Sequence, residues 1–131
     1  MSRVLIDTQA LIWFAEDAPA LSRQAVTLVD DPATVRLASA ASVWEMAIKI
    51  ALDKLSLKGG RTLREFVDKL KINEIDVLAV SAEDAMVVAD LPTGQHKDPF
   101  DRLIAAQCLR HDLTLVSIDT AFDAYGVRRV W

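Results

Sequence analysis

Cysteine, proline, glycine and aromatic residues are all scarce in this sequence. It has one Cys, four Pro and four Gly among 131 residues, and 6% of its residues are aromatic. A single cysteine excludes an intramolecular disulfide, and so little glycine and proline excludes low-complexity and collagen-like chains. No uncharged stretch exceeds about ten residues, whereas a membrane-spanning helix needs ~20. We therefore expect no membrane span, and no signal peptide, because the opening residues MSRVLID continue directly into a predicted strand.

Apolar residues make up 52% of the chain and charged residues 26%, which is typical of a folded domain and excludes a disordered chain. A chain of this length buries roughly two thirds of the surface that its unfolded form exposes, so a core can form without disulfides or a structural metal. We expect one domain over residues 1–131. Cys108 lies in the apolar run LIAAQCL and is predicted to be a buried thiol, so a reducing, cytoplasmic location is the expectation.

The formal net charge of −4 at first argues against a nucleic-acid partner, because phosphate neutralisation requires Lys and Arg. The charge is unevenly distributed, however. Residues 54–71 contain six basic and two acidic residues, whereas the segments on either side are acidic. A charged stretch of this kind is usually a solvated helix face, and it is also the candidate for part of a nucleic-acid-binding surface.

Short apolar runs predict five strands, which are RVLID, VRLAS, EIDVL, LTLVSI and VRRVW. Helical periodicity and capping residues predict helices that begin near Thr8, Ser22, Ser42, Thr62, Ser81 and Asp98. The third of these is predicted over residues 42–55, before a turn at Gly59-Gly60. Because strands alternate with helices, the sequence predicts an α/β fold with a mainly parallel sheet covered by helices on both faces.

Two acidic residues directly follow predicted buried strands, Asp7 after VLI and Asp119 after TLVSI. The carboxyl ends of the strands in an open parallel sheet border the crevice where ligands bind. We therefore expect both side chains to share that crevice. The alternative is structural, since aspartate is common where a strand becomes a helix, as an N-cap or a turn residue.

Two further acids are predicted near the same crevice, each from a helix. Glu45 lies early in the third helix, where an i, i+4 ion pair with Lys49 is a sufficient alternative explanation. Asp101 lies in the first turn of the last long helix, where an acid also favours the helix dipole. Asp98 is fully explained as the N-cap of that helix, because Pro99 suits the first helical position.

Four carboxylates that share one crevice repel one another unless a positive charge lies between them. Oxygen ligands without a His or Cys cluster favour Mg²⁺ or Mn²⁺ over Zn²⁺. One or two such ions can activate a water molecule and stabilise a phosphoryl group during in-line displacement. If the four acids are set aside, the rest of the chain has no net charge, so the acidic pI does not exclude an RNA or DNA substrate.

Four blocks of the sequence resemble the successive motifs of PIN-domain nucleases, specifically the VapC-type toxins of bacterial toxin-antitoxin pairs. The blocks are VLIDTQALIWF, ASVWEMAIK, HKDPFDRLIAAQ and LTLVSIDTAFDAYGV. The resemblance spans the whole chain. It implies a three-layer α/β/α sandwich, an endoribonuclease that depends on Mg²⁺ or Mn²⁺, a homodimer, and a cognate antitoxin encoded beside it.

Carried over by position, the resemblance makes Asp7, Glu45, Asp101 and Asp119 the catalytic and metal-binding acids, with Asp98 as a weaker metal candidate. Thr8 and Ser117 are then expected to hydrogen-bond to these carboxylates from behind. Many similar nucleases have Thr where this chain has Ser117, and a hydroxyl is retained. Gln9 is a mild departure, since Asn, Ser or His often follows the first Asp-Thr pair.

Two other function classes stay open from the sequence. One is a catalytically silent module that only binds a partner protein. The other is a Mg²⁺-dependent phosphoacceptor signalling domain, although that class needs a central strand that ends in the acceptor Asp and a late strand that ends in Lys. Several other residues have a structural and a functional interpretation. Lys49 and Arg102 form ion pairs or contact phosphate, and the apolar side chains belong to the core, a dimer interface or an antitoxin contact; these are Trp13, Phe14 and Trp44. His96 and His111 are expected to be a loop residue and a helix-end residue.

Overall fold

The computed structural model describes residues 2–93 and 98–131, so His96 lies outside the described residues. The strands are β1 (Arg3–Ile6), β2 (Val35–Ser39), β3 (Ile75–Leu78), β4 (Thr114–Val116) and β5 (Arg129–Val130). The α-helices are α1 (Thr8–Glu16), α2 (Arg23–Asp30), α3 (Ala40–Ala51), α4 (Leu63–Ile72), α5 (Ala82–Val87) and α6 (Pro99–His111). Three short 3₁₀ helices cover Lys58–Gly60, Val88–Asp90 and Thr120–Tyr125.

The five strands form one sheet in the order β3-β2-β1-β4-β5, and every neighbouring pair is parallel. Leu5 of the central strand pairs with Leu37 of β2 on one side and with Leu115 of β4 on the other. The chain first builds outward from β1 through β2 to β3 and then returns to the far side of β1. Strand order therefore reverses between β1 and β4, which is where open α/β sheets form a ligand crevice.

Each face of the sheet has its own core, because successive side chains of a strand point to opposite faces. Val4 and Ile6 pack with residues of α1, α2, α3 and α4, including Leu11, Met46 and Phe66. Leu5, between them in sequence, packs on the other face with residues of α6 that include Ile104. The predicted three-layer α/β/α arrangement is therefore confirmed.

Most of the predicted helix starts are confirmed by capping hydrogen bonds. The side chains of Ser22, Thr62, Ser81 and Asp98 each accept from a backbone N–H of the first helical turn. Such a cap contributes about 1 kcal/mol, because it satisfies a donor that the helix itself leaves unpaired.

The predicted range of the third helix is wrong at both ends. It begins at Ala40, where Ser39 accepts from Ala41 N, and it ends at Ala51, well before residue 55. The early end has a local cause: Asp53 adopts left-handed backbone angles with φ 55°, which aspartate tolerates better than most residues.

A buried carboxylate, Asp84, ties the two helices of the second face together. Its Oδ1 lies 3.1 Å from Arg110 Nη1 and 3.0 Å from His111 Nε2, and its Oδ2 accepts from Gln107 Nε2 at 3.3 Å. Burial alone raises the pKa of this carboxyl, but hydrogen bonds from Ser81 and these three side chains outweigh it and lower the pKa. The sequence predicted His111 at a helix end, and it is the last residue of α6.

Cys108 is a free, buried thiol whose burial raises its pKa to about 12, so the prediction of an inert core cysteine is confirmed. Within the described parts of the chain, no helix is long and apolar enough to cross a membrane.

Candidate active site

A cleft of about 520 Å³ lies where β1 and β4 end, at the reversal of strand order. All four acids singled out in the sequence line this cleft. The residues that line it are Asp7, Thr8, Gln9, Ile12, Glu45, Met46, Lys49, Lys54, Leu55, Asp101, Ile118 and Asp119. Two carboxylates come from strand ends and two from helices. The cleft is therefore lined by residues that are far apart in the sequence.

Asp7 is both a helix cap and a wall of the cleft. Its Oδ1 accepts from Ala10 N at 2.9 Å, which caps α1, and its Oδ2 accepts a short hydrogen bond from Ser117 Oγ. Only 7% of the residue is exposed. Burial raises the pKa of this carboxyl, and the negative charges of Asp119 and Glu45 raise it further, against the two hydrogen bonds, which lower it.

Ser117 connects the first and fourth acids. Its hydroxyl donates to Asp7 and accepts from the backbone N–H of Asp119 at 3.0 Å. Asp119 in turn caps the 3₁₀ helix that follows, since its Oδ1 accepts from Ala121 N at 2.9 Å. Arg129 Nη1 donates to the carbonyl of Ser117 at 3.1 Å. The serine is fully buried, so its hydroxyl has little freedom to take another orientation.

Each carboxylate oxygen of Glu45 has a partner. Thr8 Oγ1 donates to Oε1 at 2.7 Å and lies 2.8 Å from Ser42 Oγ, whereas Lys49 Nζ lies 3.0 Å from Oε2. The structural alternative of an i, i+4 ion pair is therefore real. It does not remove Glu45 from the cleft, because the same side chain still lines it.

The two aspartates of the last long helix have different surroundings. Asp98 is exposed and caps α6, accepting from Phe100 N at 2.9 Å and from Asp101 N at 3.1 Å, and it is not among the cleft residues. Asp101, one turn on, lines the cleft. Arg102 donates to the carbonyls of Pro92 and Val88 and lies over the ring of Tyr125, away from the cleft.

The donor set of the cleft suits a hard cation, since it offers carboxylate oxygens without His or Cys. Mutual repulsion between Asp7, Asp119 and Glu45 would also be relieved by a positive charge. Among residues 2–93 and 98–131, however, no three His, Cys, Asp or Glu side chains are close enough together to hold an ion as they stand. The residues fit Mg²⁺ or Mn²⁺ by chemistry, and closer approach of the side chains would be needed to bind it.

Two residues of the site were missed by the sequence-based prediction. Ser42 was predicted as the start of the third helix, but it lies behind the cleft in contact with Thr8, 34 positions away in sequence, which no local pattern reveals. Lys54 was assigned to the predicted third helix and to the basic stretch, but not to the cleft. On a continuous helix it would lie about 140° from Lys49, at 100° per residue, so only the early end of α3 could have indicated that both line one cleft.

The family model that matches this chain is that of the PIN domain, over residues 4–127. No curated protein matches the chain. Among solved structures, this chain is similar to a chain of VapBC2 from Rickettsia felis, which was solved bound to a DNA fragment from the VapBC2 promoter. The TM-score is 0.72 and the identity 16%, and the match covers 98% of this chain and 97% of that one.

Two further solved structures share the fold. A chain of FitAcB from Neisseria gonorrhoeae has a TM-score of 0.65 and 22% identity, covering 98% of this chain and 96% of that one. A chain of DNA-bound VapBC from Salmonella typhimurium has a TM-score of 0.66 and 20% identity, covering 99% of this chain and 98% of that one. At these identities the similarity establishes a common architecture.

Proposed function

The chain belongs to the PIN-domain family, and from that premise we propose that it is a metal-dependent endoribonuclease, the toxin of a VapC-type toxin-antitoxin pair. The observation that carries the proposal is the placement of Asp7, Glu45, Asp101 and Asp119 around one cleft at the reversal point of a parallel sheet. Four acids gathered in one cleft are unfavourable for folding, which points to a chemical role.

These four carboxylates are the residues that would hold Mg²⁺ or Mn²⁺. Such an ion, when bound, activates water for attack on a phosphodiester and neutralises charge that develops on the phosphoryl group. The chain itself supplies orientation: the Ser117 hydroxyl fixes Asp7, and the Thr8 hydroxyl fixes Glu45. Hydrogen bonds to a metal-binding carboxylate from the side away from the metal set the orientation of the carboxylate and the affinity for the metal. Lys49 pairs with the negative charge of Glu45.

The strand order disfavours the phosphoacceptor alternative. Signalling domains of that class have the flavodoxin-like order 2-1-3-4-5, whereas this sheet has the order 3-2-1-4-5. In addition, β4 ends at Val116 and β5 at Val130, so neither of these late strands ends in the lysine that such a domain requires.

The partners of the proposed toxin are RNA as substrate, a cognate antitoxin, and a second copy of the chain, in the cytoplasm. The antitoxin is supported by the similar chains, which come from VapBC and FitAcB structures. The homodimer is supported by an apolar stripe along α3 and its C-cap, where Trp44, Ile48 and Leu52 are exposed about one turn apart. Exposed apolar patches mark contact surfaces.

We expect the protein purified alone to have twice its chain mass of 14.4 kDa by light scattering. Replacing Trp44, which is 57% exposed, by arginine places a charge within the apolar stripe and should shift the mass to that of a monomer. Met86→Arg, at a residue of α5 that is 62% exposed, is the matched control and should leave the mass unchanged. A monomeric wild type, or a dimeric Trp44→Arg variant, would argue against this interface.

The proposed activity is tested by incubating antitoxin-free protein with total bacterial RNA, including folded tRNA and rRNA, in Mn²⁺ and in EDTA. Discrete new RNA ends that are absent in EDTA are the expected result. Mn²⁺ should also raise the melting temperature, because a ligand that binds only the folded state stabilises it. If neither cleavage nor a thermal shift occurs, the silent binding module becomes the better account.

A further inference from the structure

Lys54 is set apart from the other basic residues of its neighbourhood by its position. Six Lys and Arg residues fall within residues 54–71, and Lys54 alone of these lines the cleft that contains the four carboxylates. The other five were candidates for a basic surface on sequence grounds, but none of them borders the cleft.

The end of α3 explains how Lys54 reaches the cleft. The N–H of Lys54 donates to the carbonyl of Lys49 at 2.8 Å, and the N–H of Asp53 donates to that of Ile50 at 3.1 Å. This is the Schellman pattern, in which a residue in the left-handed conformation ends a helix. Here Asp53, with φ 55°, takes the position that glycine usually holds.

The Schellman turn also determines which side chains meet. Its first residue beyond the left-handed position commonly contacts the residue five positions earlier, and the two are usually apolar. In this chain that pair is Lys54 and Lys49. The turn therefore returns Lys54 to the side of α3 that carries Lys49, and both lysines line the cleft.

The two lysines differ in what they already bind. Lys49 Nζ lies 3.0 Å from Glu45 Oε2 and is committed to that carboxylate. Lys54 is exposed, and within the described part of the chain its side chain has neither a hydrogen bond nor an ion pair. An unpaired ammonium beside a carboxylate-lined cleft is available for an anion that enters the cleft.

We propose that Lys54 binds a backbone phosphate of the RNA strand and so positions the neighbouring phosphodiester against the carboxylates. The inference rests on the proposed function. A lysine ammonium is a point charge without the planar fork of arginine, so it suits a phosphate and reads no base. Lys54 therefore contributes affinity and register rather than sequence preference.

The test measures binding of fluorescein-labelled single-stranded poly(U) RNA by anisotropy across a salt series. The binding buffer contains Ca²⁺ in place of Mn²⁺, because Ca²⁺ also binds carboxylate oxygens. In Lys54→Gln the negative slope of log K against log salt should become shallower by about 0.7, the value for one phosphate contact on a single strand, and binding at 0.1 M salt should weaken about 5-fold. Lys54→Arg should bind like wild type.

Arg23→Gln is the matched control, because it removes one exposed positive charge from α2, outside the cleft. Its slope should equal that of wild type. The inference is overturned if Lys54→Gln keeps the wild-type slope, or if Arg23→Gln loses as much. A wild type that binds no RNA at all also overturns it, whereas the proposed function is judged separately by cleavage in Mn²⁺.

Discussion

Replacing Asp7 by asparagine is expected to abolish metal-dependent RNA cleavage and, at the same time, to raise the melting temperature of the metal-free protein. Asparagine keeps an oxygen that can accept from Ala10 N, so the cap of α1 is retained. It removes the negative charge that an ion would bind. We expect the cleavage rate to fall at least about 100-fold, which corresponds to ~2.7 kcal/mol of transition-state stabilisation.

The gain in stability follows from the direction of the pKa shift. Burial, with the nearby charges of Asp119 and Glu45, raises the pKa of Asp7 above its ordinary value of 3.8. A carboxyl with a raised folded-state pKa contributes stability below its unfolded pKa and loses it as the pH rises through the folded value. At neutral pH the charged group is therefore a cost, which asparagine removes.

Melting temperatures of the metal-free proteins between pH 7 and pH 4 check this reasoning. The advantage of Asp7→Asn should be largest at pH 7 and should shrink as the pH falls, because wild-type Asp7 then takes up a proton. Asp68→Asn, an exposed acid on α4, is the control and should change neither cleavage nor melting temperature. Cleavage by Asp7→Asn at the wild-type rate would show that Asp7 is not part of the active site.

Ser117→Ala should lower the affinity for Mn²⁺ by about 10- to 100-fold, the usual effect of removing a group that orients a metal ligand. The serine hydroxyl holds Asp7 Oδ2 and accepts from Asp119 N–H. Without it, the partly buried N–H of Asp119 loses its acceptor and the buried carboxylate of Asp7 loses a donor. The Mn²⁺ concentration at the midpoint of the thermal shift measures the affinity, and RNA cleavage should decline in parallel.

Ser117→Thr separates loss of the hydroxyl from a packing defect. Threonine retains the Oγ atom and adds one methyl group at a fully buried site, which costs some stability. We expect it to keep most of the Mn²⁺ affinity even where its melting temperature falls below that of Ser117→Ala. Equal losses of affinity in the two variants would mean that the hydroxyl itself has no role.

Local signals predicted much of the fold. Ser22, Thr62, Ser81 and Asp98 act as caps, as their positions before amphipathic runs indicated. The α/β class followed from alternating element types. The lateral order of the strands did not, since it depends on contacts between residues far apart in sequence. The end of α3 was also beyond local pattern, because an aspartate rather than a glycine takes the left-handed position there.

The sequence predicted which residues form the candidate site, but it did not predict the hydrogen bonds that link them. Asp7 and Asp119 follow strands that the structure makes neighbours, so a shared cleft was foreseeable from a parallel sheet. Their link through Ser117 depends on the orientation of one buried hydroxyl. Likewise, the side chains of Asp7 and Asp119 act as caps and also line the cleft, so the structural and functional interpretations were not exclusive.

The position of β4 between β1 and β5 has a consequence for synthesis of the chain. Asp119 follows β4, and β4 is the fourth strand to leave the ribosome although it pairs with the first. Nascent domains fold as units once their elements are available. A growing chain that carries Asp7, Glu45 and Asp101 therefore still lacks one wall of its cleft, which is completed only after β4 and Asp119 have also been synthesised.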